Sequence, residues 1–222
     1  MKARHFVCMA AMMMPATPVL ASDFSYSYVG IGFNATGQDN IVGPETTNNT
    51  RRASSGLDFN FSWLVHENLF VVYDYRDHDF NRDELDFQRA SVGLGYRESV
   101  GRGTDVVAVV RVVVNAYDDM QGDTQFDPTG GASLGLRHAI NPDFEFGIHV
   151  DYVYEGAFED DTDEVFIDYS NLRADTSLRY EALYTLVDNF GGLTGRDSIG
   201  LTVSGNINDD FRTIAAGLRY SF

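Results

Sequence analysis

The sequence predicts an all-β fold, a transmembrane up-and-down antiparallel β-barrel of ten strands, or eight if two C-terminal segments are loops. Three observations predict it. Apolar and polar residues alternate with a period of two through most of the chain, so successive side chains fall on opposite faces of a strand. Short and long connectors tend to alternate, as in a meander with tight turns at one rim and loops at the other. The polar phase is rich in glycine and in opposed charges, which suits a confined interior better than a surface in water.

The 222 residues form one domain after a distinct leader. Residues 1–21 carry Lys2 and Arg4, an apolar run FVCMAAMMM, Pro15 and small residues up to Ala21. This pattern is a secretory signal with cleavage between Ala21 and Ser22, leaving 22–222 as the barrel domain. Five of the six methionines and the single cysteine, Cys8, lie in the leader, so the mature chain has no disulfide. Cys8 comes too early, and lacks the small residues before it, for a lipid-anchor site. Removing Lys2 and Arg4 lowers the formal charge of -17 by two, to -19, and leaves no lysine. A nucleic-acid partner is excluded on that ground, because phosphates need a basic face. No later segment reaches the roughly 18 apolar residues of a spanning helix, so any membrane crossing is made by strands.

The predicted strands run from 24 to 35, 55 to 65, 69 to 78, 87 to 97, 104 to 117, 130 to 140, 144 to 156, 172 to 186, 190 to 206 and 211 to 222. The first places Val29, Ile31 and Phe33 on its apolar face, the second Leu57, Phe59, Phe61 and Trp63, and the third Leu69, Val71, Tyr73 and Tyr75. The fourth and fifth follow with Ala90, Val92, Leu94 and Tyr96, then Val106, Ala108, Val110, Val112 and Val114. Ala132, Leu134 and Leu136 mark the sixth, and Phe144, Phe146, Ile148, Val150, Tyr152 and Tyr154 the seventh. Leu178, Tyr180, Ala182, Tyr184 and Leu186 mark the eighth, while Gly191, Gly192 and Gly195 interrupt the start of the ninth. The tenth ends in AAGLRYSF, with Leu218, Tyr220 and Phe222 on one face and Gly217, Arg219 and Ser221 on the other. Tight turns are expected at 66–68, 141–143 and 187–189, where LVHENLF, AINPDFEF and LVDNF form a weak repeat. Long polar loops are expected near 36–54, 78–86, 118–129 and 157–171. The 98–103 link is intermediate, and the 207–210 link is short although it belongs to the long-loop rim.

On the opposite phase stand Gly30, Gly32, Gly93, Gly95, Gly135, Gly147, Gly200 and Gly217. Arg76, Arg89, Arg97, Arg111, Arg137, Arg173, Arg179 and Arg219 share it with Asp58, Asp74, Glu145, Asp151, Glu155, Asp175 and Glu181, and His149 lies among them. Buried charges must be paired, so this phase reads as a charge-paired lumen and the apolar phase as the lipid face. Trp63 and tyrosines near strand ends suit interfacial girdles. Strands of about 11 residues tilted about 45° span roughly 25 Å, the height of an outer-membrane apolar band. Ten strands give a cylinder roughly 20 Å across, which inward arginines nearly fill. That favours a polar plug over an open pore, although the inner glycines leave room for a narrow wet path. A soluble barrel of the lipocalin type also alternates, with the apolar phase inside instead.

The openings SYSYVGIGF, ASVGLGYR and ASLGLRHA, with the AAGLRYSF ending, resemble the small bacterial outer-membrane β-barrel family that includes OmpX- and OmpA-like membrane domains. The resemblance implies residence in the outer membrane among its lipids, including lipopolysaccharide. Gly217, Tyr220 and Phe222 are similar to the C-terminal insertion signal that the barrel-assembly machinery reads in that family. Ala215 departs from the polar residue often found at the head of that signal.

Chemistry is thinly represented. The acidic runs DHDFNRDELD, DDMQGDTQFD and EDDTDE lack the ordered spacing of a calcium loop and read as solvated, so no metal or other cofactor is expected. Calcium or magnesium bridging these acids to lipopolysaccharide phosphates is a middle reading. Ten-stranded barrels include outer-membrane proteases, which makes Asp77-His78-Asp79 the place to look for a hydrolase. Adjacent strand residues point oppositely, so the two aspartates orient His78 poorly, and no serine stands in a recognisable nucleophile motif. The expectation is a non-enzymatic barrel with a structural or surface-interaction role, its loops displayed for recognition. A narrow porin-like channel is the alternative, and an outer-membrane hydrolase the more distant one.

Overall fold

The computed structural model describes residues 24–41, 50–80, 85–101, 103–118, 124–154, 176–188, 197–207 and 211–222. The leader with Ala21 and Ser22, the run 159–164, and Glu155, Arg173 and Asp175 lie outside them. Ten strands are formed: β1 Tyr28–Ile41, β2 Thr50–His66, β3 Leu69–Phe80, β4 Leu85–Gly101, β5 Thr104–Asp118, β6 Thr124–Asn141, β7 Phe144–Tyr154, β8 Thr176–Val187, β9 Ser198–Ile207 and β10 Phe211–Ser221. Each pairs antiparallel with its sequence neighbours, and β1 pairs with β10 from Tyr28↔Ser221 to Gln38↔Phe211, closing the ring. Closure satisfies every strand edge, which an open sheet of this size would leave exposed.

The apolar phase faces outward along its length. Phe33 is 74% exposed, Val110 62% and Leu134 61%, with Ile31, Leu94 and Leu218 also open. The alternate residues turn inward: Asn34, Asp58, Ser62, Ser91, Arg97 and Arg137 are buried.

The strands run further than the apolar alternation does. The strands reach into the loops expected at 36–54, 78–86 and 118–129: β1 runs to Ile41 and β2 starts at Thr50, β3 runs to Phe80 and β4 starts at Leu85, and β5 runs to Asp118 and β6 starts at Thr124. Apolar residues are sparse in those extensions, so no periodicity marks them. Pro128 sits inside β6, not in a loop: it lies beyond the last β6–β7 pair, Gly130↔Tyr154, and on that side it deprives no neighbour of a ladder bond.

The four turn-side hairpins share one construction. Each carries a register shift just before or after its turn: Leu64/His66, Ser99/Gly101, Ala139/Asn141 and Thr185/Val187. Asn68, Gly103 and Asp143 each offer a backbone carbonyl to the next hairpin, accepting from Arg97 N at 2.9 Å, Ala139 N at 2.8 Å and Thr185 N at 2.8 Å. These three turns are thereby stitched to their neighbours around the rim. Gly103 adopts φ 66° within it, a left-handed conformation that suits glycine.

β1 begins at Tyr28, four residues later than expected. Residues 24–27 leave the wall and enter the turn-side mouth, where Phe24 and Tyr26 are 4% exposed. There they join Phe70, Val72, Val107 and Val109, against which Leu64 and Ala139 pack. The turn-side end of the lumen therefore combines an apolar cluster with buried charges. Val107 and Val109 occupy inward positions of β5, whose run of valines is oily on both phases.

Candidate functional site

The lumen is the one place where charged side chains from many strands converge, and it is built in layers. The turn-side layer is the N-terminal segment and the groups that grip it. Tyr26 donates its hydroxyl to Asp105 Oδ2 at 3.0 Å, and its ring meets Phe70 at 5.0 Å between centroids. Arg97 lies 4.7 Å over the Tyr26 ring and ion-pairs with Asp105 at 3.2 Å. Arg137 lies 4.8 Å over Phe24 and 4.9 Å over Tyr26, pairs with Glu145, and donates to Ser25 O at 3.1 Å. Arg219 donates to the same Ser25 carbonyl at 2.6 Å. Ser62 Oγ reaches Tyr26 O at 2.7 Å. Cation–π contact and charged hydrogen bonds thus fix a short extended segment across the mouth.

The middle layer is a cavity of about 180 Å³. Its wall carries Asp58, Asp74, Arg76, Arg89, Arg111, Asp151, Arg179 and Glu181, with Tyr28 and Arg219 on the turn side. Arg76 Nε holds Asp58 at 2.9 Å, and Asn34 Nδ2 donates to the same carboxylate at 2.9 Å. Arg111 approaches Asp74 at 3.5 Å, and Ser91 Oγ donates to Asp74 at 3.3 Å. Arg179 Nε holds Asp151 at 2.8 Å, and its Nη1 lies 3.8 Å from Glu181. Arg219 stacks on Tyr28, 3.7 Å from the ring centre.

Above the cavity, toward the loops, Thr36 and Thr213 share a hydrogen bond of 2.8 Å, and Ser54 Oγ lies 3.3 Å from His78 Nδ1. Ser54 and His78 are 4% and 6% exposed.

Among the described residues the charges are grouped in small sets, with Arg179 shared between Asp151 and Glu181. Asp58 with Arg76, Asp74 with Arg111, Glu145 with Arg137 and Asp151 with Arg179 each bridge nearby strands. Arg89 and Arg219 form no ion pair among the described residues. His149 is buried opposite Gly135, with Nδ1 unbonded among the described residues. Asp105, absent from the expected set, is fully buried at the centre of the turn-side layer. Its phase beside Val106 was the available signal. The entry of Phe24–Ser27 into the lumen had a signal in the change of phase at Tyr28-Val29: Phe24, Tyr26 and Tyr28 share the parity of Gly30 and Gly32, opposite to Val29, Ile31 and Phe33.

A Cβ on Gly95 would lie 2.2 Å from the Phe70 ring, and one on Gly131 3.2 Å from Arg111 Cγ. Gly95 and Gly131 are recesses that receive a large side chain from the strand opposite. At the seam Gly217 faces Gly32, where a Cβ would come 2.3 Å from Ile31 O, and Phe222 N donates to Ser27 O at 3.0 Å. The Tyr220 ring lies 5.9 Å from that of Phe222.

No protein-family model and no curated protein matches this chain. Solved structures are similar to it in form. The outer membrane channel from Pseudomonas putida F1 is 11% identical, with 91% of this chain and 98% of that one covered and a TM-score of 0.47. The N-terminal β-barrel domain of Pseudomonas aeruginosa OprF is 10% identical over 90% of this chain and 100% of that one, with a TM-score of 0.40. Neisserial surface protein A is 10% identical over 88% and 97%, with a TM-score of 0.39.

Proposed function

We propose that this chain is an integral protein of a bacterial outer membrane, secreted by the leader 1–21, which acts as a closed, non-enzymatic barrel in envelope structure or surface interaction. The observation that carries the reading is the inversion of polarity. Large apolar residues such as Phe33, Val110 and Leu134 are open on the outside while Arg97, Asp105 and Arg137 are buried within. In water such an exterior would be an unbroken adhesive surface, whereas in a bilayer it is the solvated one. A soluble lipocalin-like barrel would require the reverse.

Closure follows from the N-terminal segment, which lies across the turn-side mouth under the grip of Arg97, Arg137 and Arg219. The cavity beyond it favours a second reading, a narrow channel opened by withdrawal of that segment. Lipopolysaccharide-bearing lipids would contact the apolar belt, and the barrel-assembly machinery would read Gly217, Tyr220 and Phe222. The Ser54–His78 contact is the arrangement closest to catalysis. Its burial denies a substrate access to the hydroxyl, which supports a structural role.

Two measurements test the proposal. Fractionation is expected to place a heat-modifiable band in the detergent-resistant membrane pellet; a soluble monomer released by osmotic shock refutes it. In planar bilayers the purified barrel is expected to give no stable large conductance, and reproducible porin-sized steps would favour the channel.

A further inference from the structure

We infer that the lumen contains a binding site for a small oxyanion such as phosphate, formed by Arg76 and Arg89 with the field of Arg111. The inference rests on the fold alone and holds for either reading above.

Arg76 on β3 and Arg89 on β4 stand directly opposite in the ladder, on the inward phase. Like charges in that position repel, and inside a barrel little water screens them. The cavity wall carries six arginines, at 76, 89, 111, 137, 179 and 219, against five carboxylates, at 58, 74, 145, 151 and 181. Among the described residues the cation without a counter-ion can be located. Arg219 has other partners, donating to Ser25 O and Ser221 Oγ and stacking on Tyr28. Arg89 makes no hydrogen bond or ion pair among the described residues.

Two carboxylates act on Arg89 through space, Asp151 and Asp74, and both are engaged. Arg179 holds Asp151 at 2.8 Å and Arg111 approaches Asp74 at 3.5 Å. Arg76 gives only its Nε to Asp58, so its terminal nitrogens, like the whole Arg89 fork, have donors to offer. Two guanidinium groups with free donors on facing strands form a receptor for a tetrahedral or planar oxyanion, because each planar fork matches two oxygens. The cavity, at about 180 Å³, is several times the roughly 30 Å³ share of one water and admits such an ion. A cation confined without a counter-ion is costly, and an anion taken from solution removes that cost.

The test uses the folded mature barrel in a detergent without phosphate groups, titrated with sodium phosphate while sodium chloride holds the ionic strength constant. Wild type is expected to show a saturable rise in unfolding temperature with phosphate. Arg89→Gln is expected to weaken that binding about tenfold or more, as loss of a charged hydrogen bond does. Without phosphate, Arg89→Gln is expected to fold and to unfold no earlier than wild type, since a repulsion has been removed. An unsaturable response in wild type overturns the proposal, as does an undiminished one in Arg89→Gln. An Arg89→Gln barrel that cannot fold overturns it too, because Arg89 would then be compensated within the protein.

Discussion

Gly135 and His149 face each other across β6 and β7, and their fit shows how the lumen is specified at single positions. A Cβ at Gly135 would stand 2.2 Å from His149 Nδ1 and 2.5 Å from the Ile148 carbonyl oxygen. The ring could shift, but the carbonyl is part of the wall. Gly135→Ala is therefore expected to cost about 1 to 3 kcal/mol, the usual penalty of overpacking. Urea unfolding in detergent micelles measures it, and a value near zero would mean that the wall yields. Alternation alone put Gly135, His149, Gly95 and Arg111 on the inward phase. Which glycine receives which side chain was not legible, because that depends on strand register, which the turns and their register shifts set.

At the scale of the elements, the strands were legible where one face meets an apolar surroundings and the other a lumen. Their loop-side ends were not, since apolar residues are sparse there, and 24–27 was read as strand although the apolar phase changes at Tyr28-Val29. That segment is the most consequential element of the turn-side mouth. Phe24→Ala combined with Tyr26→Ala removes the two rings stacked by Arg97 and Arg137 and the hydroxyl that reaches Asp105. The double variant is expected to give small, flickering conductance steps in planar bilayers where wild type is silent. Equal silence in both would show that the Phe70, Val72, Val107 and Val109 cluster closes the mouth without the segment.

For the whole molecule the decisive quantity is the sign of its polarity, which the sequence carried in the glycine-rich, charge-balanced phase. Val110, near the middle of β5 and 62% exposed, is the place to test it. Val110→Arg is expected to destabilise the barrel folded into lipid vesicles by about 2 to 4 kcal/mol, the penalty of a cation near the bilayer midplane. Val110→Leu is expected to be nearly neutral, and urea titration in vesicles compares the two. A harmless Val110→Arg would mean that water, not hydrocarbon, bathes this face. Finally, the pairing of β1 with β10 sets a condition on biogenesis. Until β10 is available, β1 has no partner on that side, and the incomplete sheet carries a pair of unsatisfied margins together with its greasy flank. Such an intermediate is prone to aggregate, and a chain truncated before β10 is expected to yield an aggregation-prone open sheet rather than a slightly smaller barrel.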